Sequence, residues 1–146
     1  MRKITINRKA YFEYTIIETM EAGIQLSGSE VKSIRDNKVS IAEGYCYINN
    51  GEIFVKSMYI NEYKQGGKHF NHNPHRDKKL LLNKKEIIKL SDKSSQKGYS
   101  IIPLDIFVSN TGFIKVTVGL GKGNKLYDKK DAIKERDLKI EMKRNI

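Results

Sequence analysis

The pair Asn50-Gly51, set between the runs Tyr45–Ile48 and Ile53–Met58, constrains this chain more than any other feature. Asn-Gly takes the positive φ angles of a two-residue turn whose twist matches that of the flanking strands, so the spacing predicts a tight β-hairpin. Other runs rich in aromatic and β-branched residues repeat the signal. Tyr11 to Met20, a turn at Glu21-Ala22-Gly23 and the alternating Ile24-Gln25-Leu26 predict a second hairpin. Tyr99–Val108 and Phe113–Leu120, joined at Ser109-Asn110-Thr111-Gly112, predict two more strands, and Leu80-Leu81-Leu82 a short strand or lead-in. The sum is about six strands with two intervening helices. That pattern is mainly β with flanking helices (α+β), and a small closed β-barrel of OB-like topology fits it best.

Both helices are announced by their caps. Ser27-Gly28-Ser29-Glu30 has capping-box spacing, in which a hydroxyl and a carboxylate satisfy free amides at the helix start, and Val31 and Ile34 follow as an apolar i, i+3 stripe. Lys32 and Arg35 then share another face. Asn83 and Glu86 repeat the spacing before Ile87, Ile88 and Leu90, so the second helix ends near Leu90 to Ser95. Between Asn61 and Lys79 the chain is polar and punctuated by Gly66-Gly67 and Pro74, which predicts a long, mobile loop.

Charge is segregated along the chain, whose net value is +11. Residues 1–12 carry four basic and no acidic side chains; residues 13–63 carry four and eight; residues 64–97 ten and three; residues 119–146 nine and five. Basic arm, central segment and tail are the expected footprint of separate polyanion contacts. After Gly121 the few apolar residues, Ile133, Leu138, Ile140 and Met142, make no broad helical stripe, whereas Arg136, Lys139 and Lys143 fall along one side of a helix. Such a tail is expected to be disordered when free and helical against a negatively charged partner. The domain organisation expected is therefore a barrel over residues 1–123 and a basic tail over 124–146.

Several functional classes lack their chemistry. No apolar run approaches the ~18 residues of a membrane span, and the N-terminus has no continuous apolar stretch of a signal peptide, so a soluble, cytoplasmic protein is expected. Cys46, the lone cysteine, is expected to be a small buried hydrophobe. Gly119, Gly121 and Gly123 match neither a phosphate loop nor a dinucleotide fingerprint and read instead as a strand end that loosens the junction to the tail. His69, His72 and His75 lie in the Gly- and Pro-containing loop without the accompanying ligands of a zinc site. No nucleophile elbow or paired carboxylates stand out. A non-enzyme without cofactor or metal is expected.

Five blocks resemble the SmpB (SsrA-binding, tmRNA-binding) protein family: Asn7-Arg8-Lys9-Ala10, Gly23–Arg35 (GIQLSGSEVKSIR), Lys79–Ile87 (KLLLNKKEI), Lys97–Leu104 (KGYSIIPL) and Gly119–Lys130 (GLGKGNKLYDKK). The resemblance implies an OB-like barrel that binds the tRNA-like domain of tmRNA. It also implies a tail that reaches the ribosome, including the small-subunit decoding centre. A monomer without membrane contact is expected, and a general single-strand RNA-binding OB module is the alternative reading.

Carried onto this sequence, the family pattern and the charge distribution place tmRNA contacts at Asn7, Arg8 and Lys9, at Glu30, Lys32 and Arg35, at His75, Arg76, Lys79 and Leu81, and at Lys122 and Lys125. Asn7, Arg8 and Lys9, polar and near the terminus, favour contact over packing. Glu30 has two readings, helix cap and RNA ligand, because a carboxylate can accept from base amino groups or a 2′-hydroxyl. Leu81 is either a core residue or a rim residue that packs on an unstacked base. The ribosome-facing residues expected are Tyr127, Asp128, Lys129 and Lys130, then Lys134, Arg136, Lys139 and Lys143. Where the family pattern commonly reads G-K-K and then D-K-R, this chain has Gly123-Asn124-Lys125 and Asp128-Lys129-Lys130. Lysine at 130 keeps the charge but cannot make the planar, bidentate contact of arginine.

Overall fold

The structure is a computed structural model and describes residues 1–63 and 71–123. The expectations for the tail, Lys125 included, and for His69 lie outside the described residues. The fold is mostly β with a few helices. In chain order the elements are β1 (Arg2–Ile6), α1 (Arg8–Glu13), β2 (Tyr14–Ile24), α2 (Gly28–Arg35), β3 (Val39–Ser40), β4 (Tyr45–Asn49) and β5 (Glu52–Lys56). There follow β6 (Tyr59–Ile60), β7 (Lys78–Leu81), α3 (Lys84–Ser94), β8 (Tyr99–Val108) and β9 (Ile114–Gly123). Seven strands form one sheet in the order β1-β8-β4-β5-β7-β2-β9, and β8 also pairs with β9; β3 and β6 form a separate two-stranded pair.

The Asn-Gly hairpin forms as its residues dictate. Asn50 and Gly51 take φ of 53° and 76°, and Asn49 of β4 faces Glu52 of β5. Both capping boxes close, Ser27 with Glu30 on α2 and Asn83 with Glu86 on α3. Ile34 of α2 and Leu90 of α3 enter the main core beside Ala22, Ile53, Val55, Leu80, Ile106 and Val116.

A smaller core of Ala10, Ile102 and Leu104 lies under α1, packed by Tyr14 and Ile16. One strand can serve both cores because its register shifts. In β8 the shift falls between Pro103 and Asp105, so side chains that alternate toward α1 at Ile102 and Leu104 give way to Ile106 and Val108 in the main core. In β2 the shift falls between Ile16 and Glu18 and leaves Ile17 without a partner on β9; its side chain is 49% exposed.

Four expectations need correction. The hairpin expected at Glu21-Ala22-Gly23 is absent: these residues continue β2, paired with Thr117, Val116 and Lys115 of β9, and Ala22 is fully buried. The missing side chain of Gly23 serves close packing, since a Cβ there would lie 3.3 Å from that of Leu81. Gly119 and Gly121 do not loosen a strand end either. They sit within β9, where a Cβ would lie 2.5 Å from Leu104 Cδ1 and 2.9 Å from Tyr14 Cβ, so their missing side chains make the space that the smaller core fills. The long loop stops short of Lys78, because Lys78 and Lys79 belong to β7. Finally, the described residues hold nine strands and three helices where about six and two were expected; α1, β3 and β6 are too short to carry a periodic signal.

Candidate nucleic-acid interface

The expected contacts are best ordered around Glu30, which is fully buried at the start of α2. Its carboxylate accepts from the Ser27 amide at 2.8 Å and completes the cap. It also receives the Arg76 guanidinium in a fork, Nη2 to Oε1 at 2.6 Å and Nε to Oε2 at 3.2 Å. Arg76 donates further to the carbonyls of Gln25 and Asp77, which fixes the plane of its half-exposed guanidinium. Burial pushes the Glu30 pKa up, but the Arg76 hydrogen bond, the Ser27 amide and the charges of Arg76 and His72 outweigh it, so the carboxyl sits below its ordinary range.

The segment after residue 70 is pinned to this centre. Tyr63 and Asn71 exchange two hydrogen bonds, Tyr63 N to Oδ1 at 2.8 Å and Nδ2 to Tyr63 O at 2.7 Å. His72 bridges Ser29 Oγ at 2.8 Å and Ile60 O at 2.9 Å. The Ile60 carbonyl can only accept, so Nε2 carries a proton. Lys78 is fully buried and donates to Met58 O at 2.5 Å; burial pulls its pKa down to about 8.

Around this centre lie several of the expected residues. The Lys32 ammonium stands 5.4 Å from the centroid of the Tyr63 ring, and Arg35 donates to Gly112 O at 2.8 Å. On β7, Lys78 and Leu80 point inward, so Lys79 and Leu81 take the outer face; Lys79 pairs with Glu52, and Leu81 is 48% exposed. Leu81 is thus not a core residue. His75 meets Tyr59 edge-on at 4.9 Å.

A second group sits elsewhere. Arg8 and Lys9 are exposed on α1, with Lys9 paired to Glu43 at 2.8 Å, and Lys122 of β9 stands 5.8 Å over the ring of Tyr99 on β8. Lys122 pairs with Thr15 and Leu81 with Gly23, so the two groups lie near opposite ends of β2, separated by about 26 Å of strand.

Asn7 departs from the reading that favoured contact over packing. It is 2% exposed and caps α1 by accepting from the Ala10 amide, while Nδ2 donates to Ile41 O at 3.2 Å and Pro103 O at 2.9 Å. Asn7→Ala removes the cap and the bonds to Pro103 O and Ile41 O, the latter keeping the Gly44 amide as donor, so a loss of about 2 kcal/mol is expected in urea unfolding. Arg8→Ala should leave the midpoint unchanged. An unshifted midpoint for Asn7→Ala would show that these bonds do not hold α1. Sequence reasoning missed Tyr63, Asn71 and Lys78, whose roles arise from long-range partners.

A mostly β protein with a guanidinium mounted on a buried carboxylate near one end of β2, and a second basic group near the other end, is of the class that presents separate basic faces to a polyanion. A sequence profile of the SmpB protein family matches residues 4–146. The chain belongs to that family. An SsrA-binding protein of Prochlorococcus marinus is 49% identical over 142 residues, 97% of this chain and 81% of that one. Another, of Bacillus cereus, is 48% identical over 141 residues, covering 97% and 90%. A solved structure described as "tmRNA-SmpB: a journey to the center of the bacterial ribosome" has a TM-score of 0.72 and 41% identity, over 88% of this chain and 93% of that one.

Proposed function

We propose that this protein binds the tRNA-like domain of tmRNA and delivers it to stalled ribosomes for trans-translation. The observation that carries this is the likeness to the tmRNA-SmpB structure over nearly the whole of both chains. The protein acts as a cytoplasmic, monomeric adaptor and does no covalent chemistry. Among the described residues no helix is long and apolar enough to cross a membrane.

Residues 1–123 serve as the RNA-binding unit and 124–146 as a tail for the decoding centre. The β8–β9 ladder, which joins an end strand of the sheet order back to β8, supports an OB-like barrel. Contact with the RNA falls to the side chains around α2 and β7 that reach the surface, Lys32, Arg35, His75, Arg76, Lys79 and Leu81, with Arg8, Lys9 and Lys122 forming the second face. Glu30 acts through Arg76, because its carboxylate is fully buried.

A pull-down with tagged protein from its own cells tests the reading: one abundant structured RNA and ribosomes should co-purify, and recovery of neither would contradict it. With purified tmRNA, log Kd should rise linearly with log salt, and Lys32→Ala should flatten the slope by roughly one unit as a phosphate contact is lost. An affinity indifferent to salt would rule out a phosphate-dominated interface.

A further inference from the structure

We propose that Tyr47, on the β4–β5 hairpin, is a positioning residue for RNA binding, which sets the plane of the Arg76 guanidinium by holding Asp77. This rests on the functional reading above and adds to it a residue that acts without touching RNA. Arg76, Asp77 and Lys78 are consecutive, yet the side chain of each is held by a different part of the fold. The Arg76 guanidinium forks onto Glu30 of α2, and the Lys78 ammonium donates to Met58 O, just beyond β5. Between them the Asp77 carboxylate accepts from the Tyr47 hydroxyl of β4 at 2.7 Å.

Strand alternation brings the pair together. Lys79 faces Phe54 and Phe54 faces Tyr47 across the sheet, so the Tyr47 ring lies on the same outer face as the side chain of Asp77, two residues before Lys79. The Tyr47 ring stacks on Phe54 with centroids 5.4 Å apart, which steadies it while the hydroxyl reaches across β5. The hydrogen bond to Asp77 raises the Tyr47 pKa, so the phenol keeps its proton and donates. The peptide unit between Asp77 and Lys78 is thereby pinned from both faces, by Tyr47 outside and by the buried Lys78 inside. Its carbonyl accepts from Arg76 Nη1 at 3.2 Å. The fork on Glu30 uses Nε and Nη2, along one edge of the guanidinium; a planar group held along one edge can still tilt about it. The bond at Nη1 stops that tilt. A guanidinium fixed in its plane loses less freedom when it meets a phosphate or a base.

Tyr47→Phe gives the test, because it keeps the ring and its stack on Phe54 and removes only the hydroxyl. It should bind the tRNA-like domain of tmRNA about fivefold more weakly, the scale of one hydrogen bond, with its circular-dichroism spectrum unchanged. Asp77→Ala should lose as much, and the double variant no more than either, since both remove the same strut. Asp77→Asn, whose amide oxygen still accepts from the phenol, should bind like the unaltered protein. In NMR spectra of the free protein, the Arg76 Nε–H should exchange with solvent severalfold faster in Tyr47→Phe, a signature that loss of a remote packing contact would not give. Unchanged affinity in Tyr47→Phe, additive losses in the double variant, or weaker binding with an unchanged Arg76 signal would overturn the role of Tyr47 while leaving tmRNA recognition intact. Failure of the unaltered protein to bind tmRNA would overturn both.

Discussion

Glu30→Gln is expected to lower stability by about 2 kcal/mol at pH 7 and to weaken tmRNA binding severalfold beyond what the loss of folded protein explains. Breaking a buried ion pair costs about 3–5 kcal/mol when the surviving charge is trapped. Here the Arg76 side chain is 42% exposed, so water stabilises it once the carboxylate is gone and the cost is smaller. Glutamine keeps an oxygen for the cap but not the charge that holds the guanidinium fork. Arg76→Ala should be worse for the fold, since it leaves a buried carboxylate alone.

The pH dependence follows from the lowered Glu30 pKa. Its stabilising contribution is present above the unfolded carboxyl pKa of about 4.3 and is lost as pH falls through the lower folded-state value. Denaturation midpoints of the two proteins should therefore differ at pH 7 and converge in strong acid. Equal midpoints at pH 7 would show that the ion pair does not hold the start of α2 to the segment before β7.

Deletion of residues 127–146 is expected to leave tmRNA affinity within a few fold and to abolish peptide tagging on stalled ribosomes. The apolar side chains of β9 that enter the main core, Ile114, Val116, Val118 and Leu120, all precede the cut, so the fold should survive it. Beyond the cut the sequence offers charge rather than an apolar face: Lys129, Lys130, Lys134, Arg136, Lys139 and Lys143 suit ribosomal RNA. Changing Asp128, Lys129 and Lys130 together to Ala should act likewise. Both quantities are to be measured on the same truncated protein. A tenfold loss of tmRNA affinity, or normal tagging, would contradict the division of labour between RNA-binding unit and tail.

The features legible in the sequence are those decided within a few residues. The Asn50-Gly51 turn, the two capping boxes and the span of β8 depend on neighbours in the chain, and each forms where expected. What failed depends on distant partners. Glu21-Ala22-Gly23 resembles a turn until β9 is placed alongside it, and Asn7 resembles a surface residue until its bonds to Ile41 and Pro103, 34 and 96 residues away, are seen. The candidate site divides the same way. Glu30 and Lys32 could be singled out from the capping box and family blocks, but the Arg76 fork spans 46 residues and had no local signature. Nor did Lys78, whose burial depends on the Met58 carbonyl.

The most direct test of the central claim compares two RNAs at one salt concentration: the tRNA-like domain of tmRNA and an unstructured strand of equal length. Charge alone binds both, since counterion release is indifferent to sequence. A site built for folded RNA should prefer the tRNA-like domain, on the order of a hundredfold. Equal Kd values would contradict tmRNA recognition and leave a general single-strand-binding module in its place.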